Sequence, residues 1–511
     1  MKRFLSVLTL TFALIFVGAD FCYSQIRGQR DPRLEEAFRA LKKAQDASSQ
    51  PAYEPIETHP AEDAASAEPE ASTVDPSAMT PSPLNPANTA PYVPGEGIYP
   101  HVFDTTRFHP MWNEEINLAV ILPFNLEASN AEEERKQSRS VEFYQGLLLA
   151  VDQFQRIGQR IKVQAYDLGT RSLESILADS ALAEANAIVA PFDSLQIAQI
   201  ADYGMAKDLP VLSPFTFCQS LVDGYPSLFQ LVTPQSAFYD QLGESLLEQF
   251  YNFRFVFVSD SLCQTQVDPC PAHLKQMLID REIPFDEYIY NEPQSVICMD
   301  SALNLFDKHV LYILETPQKT ALQRFFPNLK NKLFLDANPA VAEALGAATL
   351  IGNNSVTIEE LVPDSLFNDS VQLITEERQV AVLGYPSWQL YMNDFMDSFY
   401  DLNVWMFSKF YANPFDDAVQ DFYNDFRFWF NREVQSLYPK YGVLGYDVAT
   451  YMLTKLQQCG TLMADAPDDA PIATLQTPIR FEQKDGGCYV NRSFYLVHFT
   501  PDAIVEKIEI Q

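Results

Sequence analysis

INLAVILPF (116–124), IKVQAYD (161–167), AIVAP (187–191), PVLSP (210–214) and LFQLVTP (228–234) are the runs that decide the fold, because each is short and almost wholly apolar. A strand with one wet face alternates apolar and polar residues. One buried on both faces does not, so these runs predict interior strands. Between the first four lie residues 140–156, 171–184 and 195–207, whose apolar side chains recur three to four apart, the spacing of a helix with one buried face. Parallel strands need crossovers of about a dozen residues or more, so the alternation predicts an open α/β sheet. In such sheets ligands collect beyond the carboxyl ends of the strands. Those ends carry Pro-Phe-Asn, Pro-Phe-Asp-Ser and Pro-Phe-Thr here.

A second series follows Pro234. A helix at 236–250 leads to expected strands at 253–258, 287–290, 309–314 and 332–335, interleaved with helices at 272–281, 301–307, 319–330 and 340–345; QVAVLG (379–384) reads as a further strand. Helices at 415–434 and 441–456 then return the chain to the first lobe, and a β segment at 479–510, with Gly486-Gly487 as a turn, closes it. Two lobes joined by more than one crossing strand satisfy this order. The expected divisions are a signal peptide (1–24), a short amphipathic helix (25–47), a disordered linker (48–114), lobe 1 (115–234), lobe 2 (235–395), and a return to lobe 1 with the C-terminal strands (396–511).

With 511 residues, 47% of them apolar, the chain can fill two or three cores. Acids outnumber bases 68 to 35, a formal net charge of −33. Nucleic-acid phosphates and anionic lipid repel such a surface, which sets both aside as partners. Lys2 and Arg3 precede an apolar run at 4–17, and Cys22-Tyr23-Ser24 places small residues where a signal peptidase reads, so export to the periplasm or envelope is expected. A lipid-modified Cys22 is the other reading of that segment. Beyond it no run reaches the roughly 18 apolar residues of a membrane span, so no transmembrane segment is expected in the mature chain. Residues 31–47 place Leu34, Phe38 and Leu41 on one face, for a partner or merely solvated. Residues 47–99, rich in Pro, Ala, Ser, Glu and Thr, cannot offset the entropy of ordering and read as a spacer.

Without Cys22, six cysteines remain. Cys263 with Cys270 and Cys459 with Cys488 are candidate disulfides, although six cysteines allow 15 connectivities and buried free thiols are ordinary core residues. The cysteine and histidine spacings do not suit a metal, and no cofactor is expected. Catalysis is not expected either: the nucleophile elbow, the His-Glu-x-x-His helix and the Gly-rich phosphate loop are all missing. Asp167, Asp193 and Asp447 stand near strand or helix ends, where acid–base chemistry and helix capping are alternatives. The aromatic-rich segment 388–429 suits either packing between lobes or a surface for a protein partner.

The ordered series INLAVILPF, VEFYQGLLLAVDQF, IKVQAYD, AIVAPFDS, DLPVLSPFTF, FQLVTPQSAFYDQLGESL, HVLYIL, QVAVLGYPSW and YGVLGYDVATYML resembles the type I periplasmic binding proteins, the fold of the branched-chain amino-acid receptors of ABC importers. VEFYQG with the GGCYVNRSFYLVHF tail is similar to a Bacteroidota branch of that fold often associated with LysM domains; no LysM-like repeat precedes the domain here. The resemblance implies an α/β fold of two lobes, each a mainly parallel sheet flanked by helices, closing on a small polar ligand. Carried over loop by loop, it assigns ligand contacts to Asn125, Asp193, Ser194, Phe215, Thr216 and Gln235 on the first lobe, and to Tyr385, Ser387 and Trp388 on the second. A charged stretch, Glu132-Glu133-Glu134-Arg135-Lys136, stands where receptors of this fold usually have a short Gly- and Ser-containing loop, and would repel an anion if it faced the mouth. An envelope scaffold, its cleft unused and its partner a protein, is therefore the alternative to a solute receptor.

Overall fold

The computed structural model describes residues 109–125, 131–260, 268–290, 309–337, 379–465, 472–483 and 486–510. Every run of the first series forms a strand: β1 (Glu115–Leu122), β2 (Arg160–Asp167), β3 (Ala187–Val189), β4 (Val211–Ser213) and β5 (Leu228–Gln230). They pair in parallel in the order β2-β1-β3-β4-β5. Register is long only between β1 and β2, where Glu115 faces Arg160 and Leu122 faces Asp167. In the second series β6 (Arg254–Asp260), β7 (Phe285–Tyr290), β8 (His309–Leu314), β9 (Gln379–Gly384) and β10 (Val404–Ser408) pair in parallel in the order β7-β6-β8-β9-β10. The C-terminal segment then divides. β11 (Phe481–Gln483) and β12 (Tyr489–Asn491) extend the first sheet beyond β5, whereas β13 (Phe494–Phe499) and β14 (Val505–Ile510) extend the second, antiparallel, beyond β10. Among the described residues each sheet has seven strands, and the expected two-lobed α/β architecture is the observed one.

Helices cover the sheets as the crossovers require. In the first lobe these are α1 (Ala131–Arg156), α2 (Leu173–Leu177) and α3 (Ser194–Lys207); in the second, α4 (Gln235–Gln249), α5 (Pro269–Asp280), α6 (Lys319–Ala337) and α7 (Met392–Asp401); α8 (Asp417–Phe430) and α9 (Tyr441–Cys459) then return to the first. α1 and α9 meet backbone to backbone because glycines line the contact: a Cβ on Gly146 would lie 1.6 Å from Gly442 O, and one on Gly445 1.9 Å from Phe143 O. Either substitution would force the helices apart. The core under α3 joins Ile121, Ile188 and Val211 to Ile197 and Ile200, while the second lobe buries a larger aromatic set including Phe257, Tyr312, Phe326 and Trp388.

Several boundaries differ from expectation. Residues 332–335 are the last turns of α6, not a strand; Leu322, Phe326, Leu329 and Leu333 form one buried helical stripe that runs past Pro327. Lobe 2 does not end at residue 395, since α7 and β10 still belong to it and the chain leaves only after Ser408. The expected helix at 171–184 is α2 followed by a 3-10 turn at Leu182–Glu184. Residues 111–114 are not linker: Met111 is buried, and its N–H lies 3.1 Å from Gln457 O. The triple glutamate forms the first turn of α1, where negative charge suits the helix dipole, and Glu132 pairs with Lys136 at 2.9 Å. Those acids belong to a helix start rather than to an inserted mouth loop. The signal peptide, the amphipathic helix, the spacer up to residue 108, and the helices expected at 301–307 and 340–345 lie outside the described residues. Among the described residues no helix is long and apolar enough to cross a membrane.

Candidate functional site

Among the described residues three segments cross between the lobes: residues 231–234 from β5 to α4, residues 409–416 from β10 to α8, and residues 492–493 from β12 to β13. The first two leave carboxyl ends of strands, and they touch: Lys409 Nζ donates to Thr233 O at 2.7 Å and lies 4.6 Å from the centre of the Phe238 ring. Beside them Tyr411 N–H donates to Gln476 O at 2.8 Å, and Lys507 Nζ of β14 reaches Leu475 O at 3.3 Å. The carboxyl ends of both sheets therefore adjoin one seam. Asp447 of α9 holds it together. Its carboxylate, fully buried, accepts from the N–H groups of Leu475, Gln476 and Thr477 at 2.7, 2.8 and 2.8 Å. Burial pushes that carboxyl up to about 6, against the pull of the three donors.

On the first lobe the Pro-Phe repeats resolve into different roles. Phe124, after β1, is core, packed edge-on to Tyr144. Phe192 after β3 and Phe215 after β4 stack at 4.0 Å and stay half-buried. Phe143 meets Phe215 edge-on at 4.8 Å, and Tyr441, the first residue of α9, lies 6.1 Å from Phe215. Over the Tyr441 ring, at 5.4 Å, stands the guanidinium of Arg139. Burial raises the Tyr441 phenol while Arg139 pulls it back. Phe143, Phe192, Tyr441 and Arg139 were not anticipated; the repeated Pro-Phe after successive strands was the available signal for Phe192, whereas the others reach the platform through the α1–α9 contact.

The polar residues expected beside this platform are mostly committed to backbone. Asp193 Oδ1 accepts from Leu195 N–H and Gln196 N–H at 3.0 and 3.1 Å, capping α3. Thr216 Oγ1 donates to Phe192 O at 2.6 Å, which couples the loops after β3 and β4. Asn125 has a left-handed φ of 45°, its N–H bound to Asp167 Oδ1 at 3.1 Å. Asp167 also takes Phe124 N–H and Gly169 N–H, at 2.9 and 2.8 Å, so it ties a loop. Ser194 is exposed on the first turn of α3, and Gln235 Nε2 donates to Tyr239 OH at 2.7 Å at the crossing.

The second-lobe contacts expected at the loop after β9 are corrected. Trp388 is 0% exposed, stacked on Phe399 and edge-on to Phe326 and Tyr385. A Cβ on Gly384 would strike its ring at 2.4 Å, so the ring lies flat under the strand end and belongs to the core. Tyr385 is buried too, its OH donating to Leu314 O at 2.5 Å, and Ser387 Oγ is enclosed without a hydrogen-bond partner among the described residues. A cavity at the carboxyl ends of β6 and β8, lined by Val258, Asp260, Leu314, Thr316, Ala321 and Phe325, measures about 10 Å³, room for one water at most. The disulfide between Cys459 and Cys488 is not formed. Both thiols are free and buried; Cys488 Sγ instead accepts from Gln230 Nε2 at 3.1 Å in a core shared with Cys218. Cys270 is likewise a free buried thiol, and its expected partner Cys263 lies outside the described residues.

No protein-family model and no curated protein matches the chain. Solved structures similar to it include an ABC transporter substrate-binding protein from Desulfitobacterium hafniense in complex with Leu, 16% identical, covering 77% of this chain and 100% of that one with a TM-score of 0.39. Another is the branched-chain amino acid transporter substrate binding protein LivJ from Streptococcus pneumoniae in complex with isoleucine, at 13% identity, 78% and 100% coverage, and a TM-score of 0.35. A third is full-length LpoA from Haemophilus influenzae, at 11% identity, covering 79% of this chain and 60% of that one, with a TM-score of 0.43. These are distant likenesses, of fold.

Proposed function

We propose that the chain is an exported, non-catalytic solute-binding protein whose lobes close across the seam on a small polar ligand: an amino acid, a peptide or a cell-wall fragment. The observation that carries this is the half-buried platform of Phe192 and Phe215 at the carboxyl ends of β3 and β4, beside a crossing of the two lobes. Rings of this size are normally buried when nothing else covers them. The three carboxylates placed at strand or helix ends, Asp167, Asp193 and Asp447, all accept from backbone N–H groups and serve as caps and loop ties. A ligand that binds only the native state must raise the melting temperature. A thermal-shift panel of amino acids, peptides and muropeptides is therefore expected to contain a saturable stabiliser, and Phe215→Ala to abolish its effect, read against the variant's own unliganded melting point. Curves flat across the panel would remove the reading.

One observation favours a second reading, an envelope scaffold that binds a protein. Phe415 and Phe428, before and on α8, are 61% and 57% exposed, with Trp429 edge-on to Phe428 at 5.4 Å. Most rings of the 388–429 segment are nonetheless core: Trp388, Phe399, Trp405 and Phe407 pack in lobe 2, and Phe422 and Phe426 under α8.

A further inference from the structure

Among the half-buried arginines of the described residues, Arg139 is the one without a carboxylate. Arg156, Arg171, Arg254, Arg281, Arg427 and Arg492 each hold a carboxylate. Arg139, half-buried on α1, has the Tyr441 ring at 5.4 Å and no carboxylate among the described residues. Lys409, across the seam, likewise has a carbonyl and a ring but no acid among the described residues. In a chain with 68 acids and 35 bases a carboxylate partner is easily supplied, yet Arg139 has none among the described residues.

We infer that the solute is a small carboxylate with a flat apolar or aromatic body, its carboxylate on Arg139 and its body on the rings of Phe192, Phe215 and Tyr441. The assignment rests on the solute-binding reading and gives it a ligand class. A guanidinium keeps its charge at any working pH and presents paired N–H donors that match the two oxygens of a carboxylate. With one face on Tyr441 it remains able to donate in its own plane, and the stacked phenylalanines beside it offer an apolar surface that excludes water from that bond. Lys409 adds positive potential at the seam without being required to touch the ligand.

Calorimetric titration of the full chain with phenylacetate, its uncharged amide and acetate tests this. Phenylacetate should bind at least about tenfold more tightly than either control, as one charge-assisted pair contributes. Arg139→Gln should reduce phenylacetate to the level of the amide with the unliganded melting temperature unchanged, and Arg139→Lys, which keeps the charge but not the fork, should fall between. If the amide binds as tightly as the acid, or the preference survives Arg139→Gln or depends on Lys409 alone, the anion assignment is overturned while solute binding stands. If these three probes and the wider amino-acid, peptide and muropeptide panel all fail to bind, both fall together.

Discussion

Two aromatic groups sit at the carboxyl ends of strands in this molecule, one in each lobe, and they differ in what covers them. After β9, Tyr385 and Trp388 are closed over by Phe326 and Phe399. After β3 and β4, Phe192 and Phe215 stack on each other with Phe143 and Tyr441 beside them, and stay half-buried. The residue types are alike and the topological positions equivalent. What separates a core from a candidate site is the next layer: α6 and α7 lay Phe326 and Phe399 over the second group, whereas the first ends at the seam. Ring content after a strand is thus a poor guide to binding unless burial is known.

That contrast can be broken most sharply at Trp388. Trp388→Ala removes a wholly enclosed ring and should cost about 3–5 kcal/mol in denaturant unfolding, while any ligand affinity measured on the remaining folded protein stays the same. A specific loss of affinity would return Trp388 to the site and dissolve the distinction. Next in size is the carboxylate that fastens residues 475–477 at the seam. Asp447 is raised to about 6, so between roughly pH 4, the unfolded value, and pH 6 the folded chain holds a proton that the unfolded chain has released. Its contribution is present below that window and lost as pH rises through it, by up to about 3 kcal/mol. The difference between wild type and Asp447→Asn, followed by unfolding from pH 4 to 7, should move by that order; no pH dependence in the difference would mean that the three N–H donors outweigh burial. The smallest effect belongs to the junction of the two regions. Burial without an acid lowers Lys409 to about 8, so wild-type stability should rise as pH climbs from about 8 towards roughly 10.4, where the unfolded lysine titrates. At pH 7 Lys409→Met should be more stable by about 1–3 kcal/mol, the gap closing above pH 8. A less stable variant would show that the carbonyl of Thr233 and the Phe238 ring already satisfy the ammonium.

The architecture was legible because interior strands of a parallel sheet are short apolar runs, and all five of the first series became strands. Legibility failed where one signal has two meanings. Lys332 to Leu335 looks extended in isolation, and only the stripe from Leu322 to Leu333 reveals a helix that Pro327 does not end. β10 hid inside the aromatic segment, since VWMFS reads equally as strand and as sticky surface. For the site, Asp193, Phe215 and Thr216 do come together through the Thr216 to Phe192 bond, yet Arg139 and Tyr441 join them only because glycines let α1 and α9 approach. Close approach between helices hundreds of residues apart leaves no local pattern. Trp388 failed for the reason the two groups differ: a carried-over loop position specifies where a side chain begins, not what closes over it.

The last thirty or so residues weave the halves into one object, since β11 and β12 finish one sheet and β13 and β14 the other. Neither half can then be excised as a self-sufficient fragment by cutting at the two earlier junctions. A premature stop near Thr477 would strip the margins from both sheets at a stroke, leaving β5 and β10 as raw edges for strands of other chains to join.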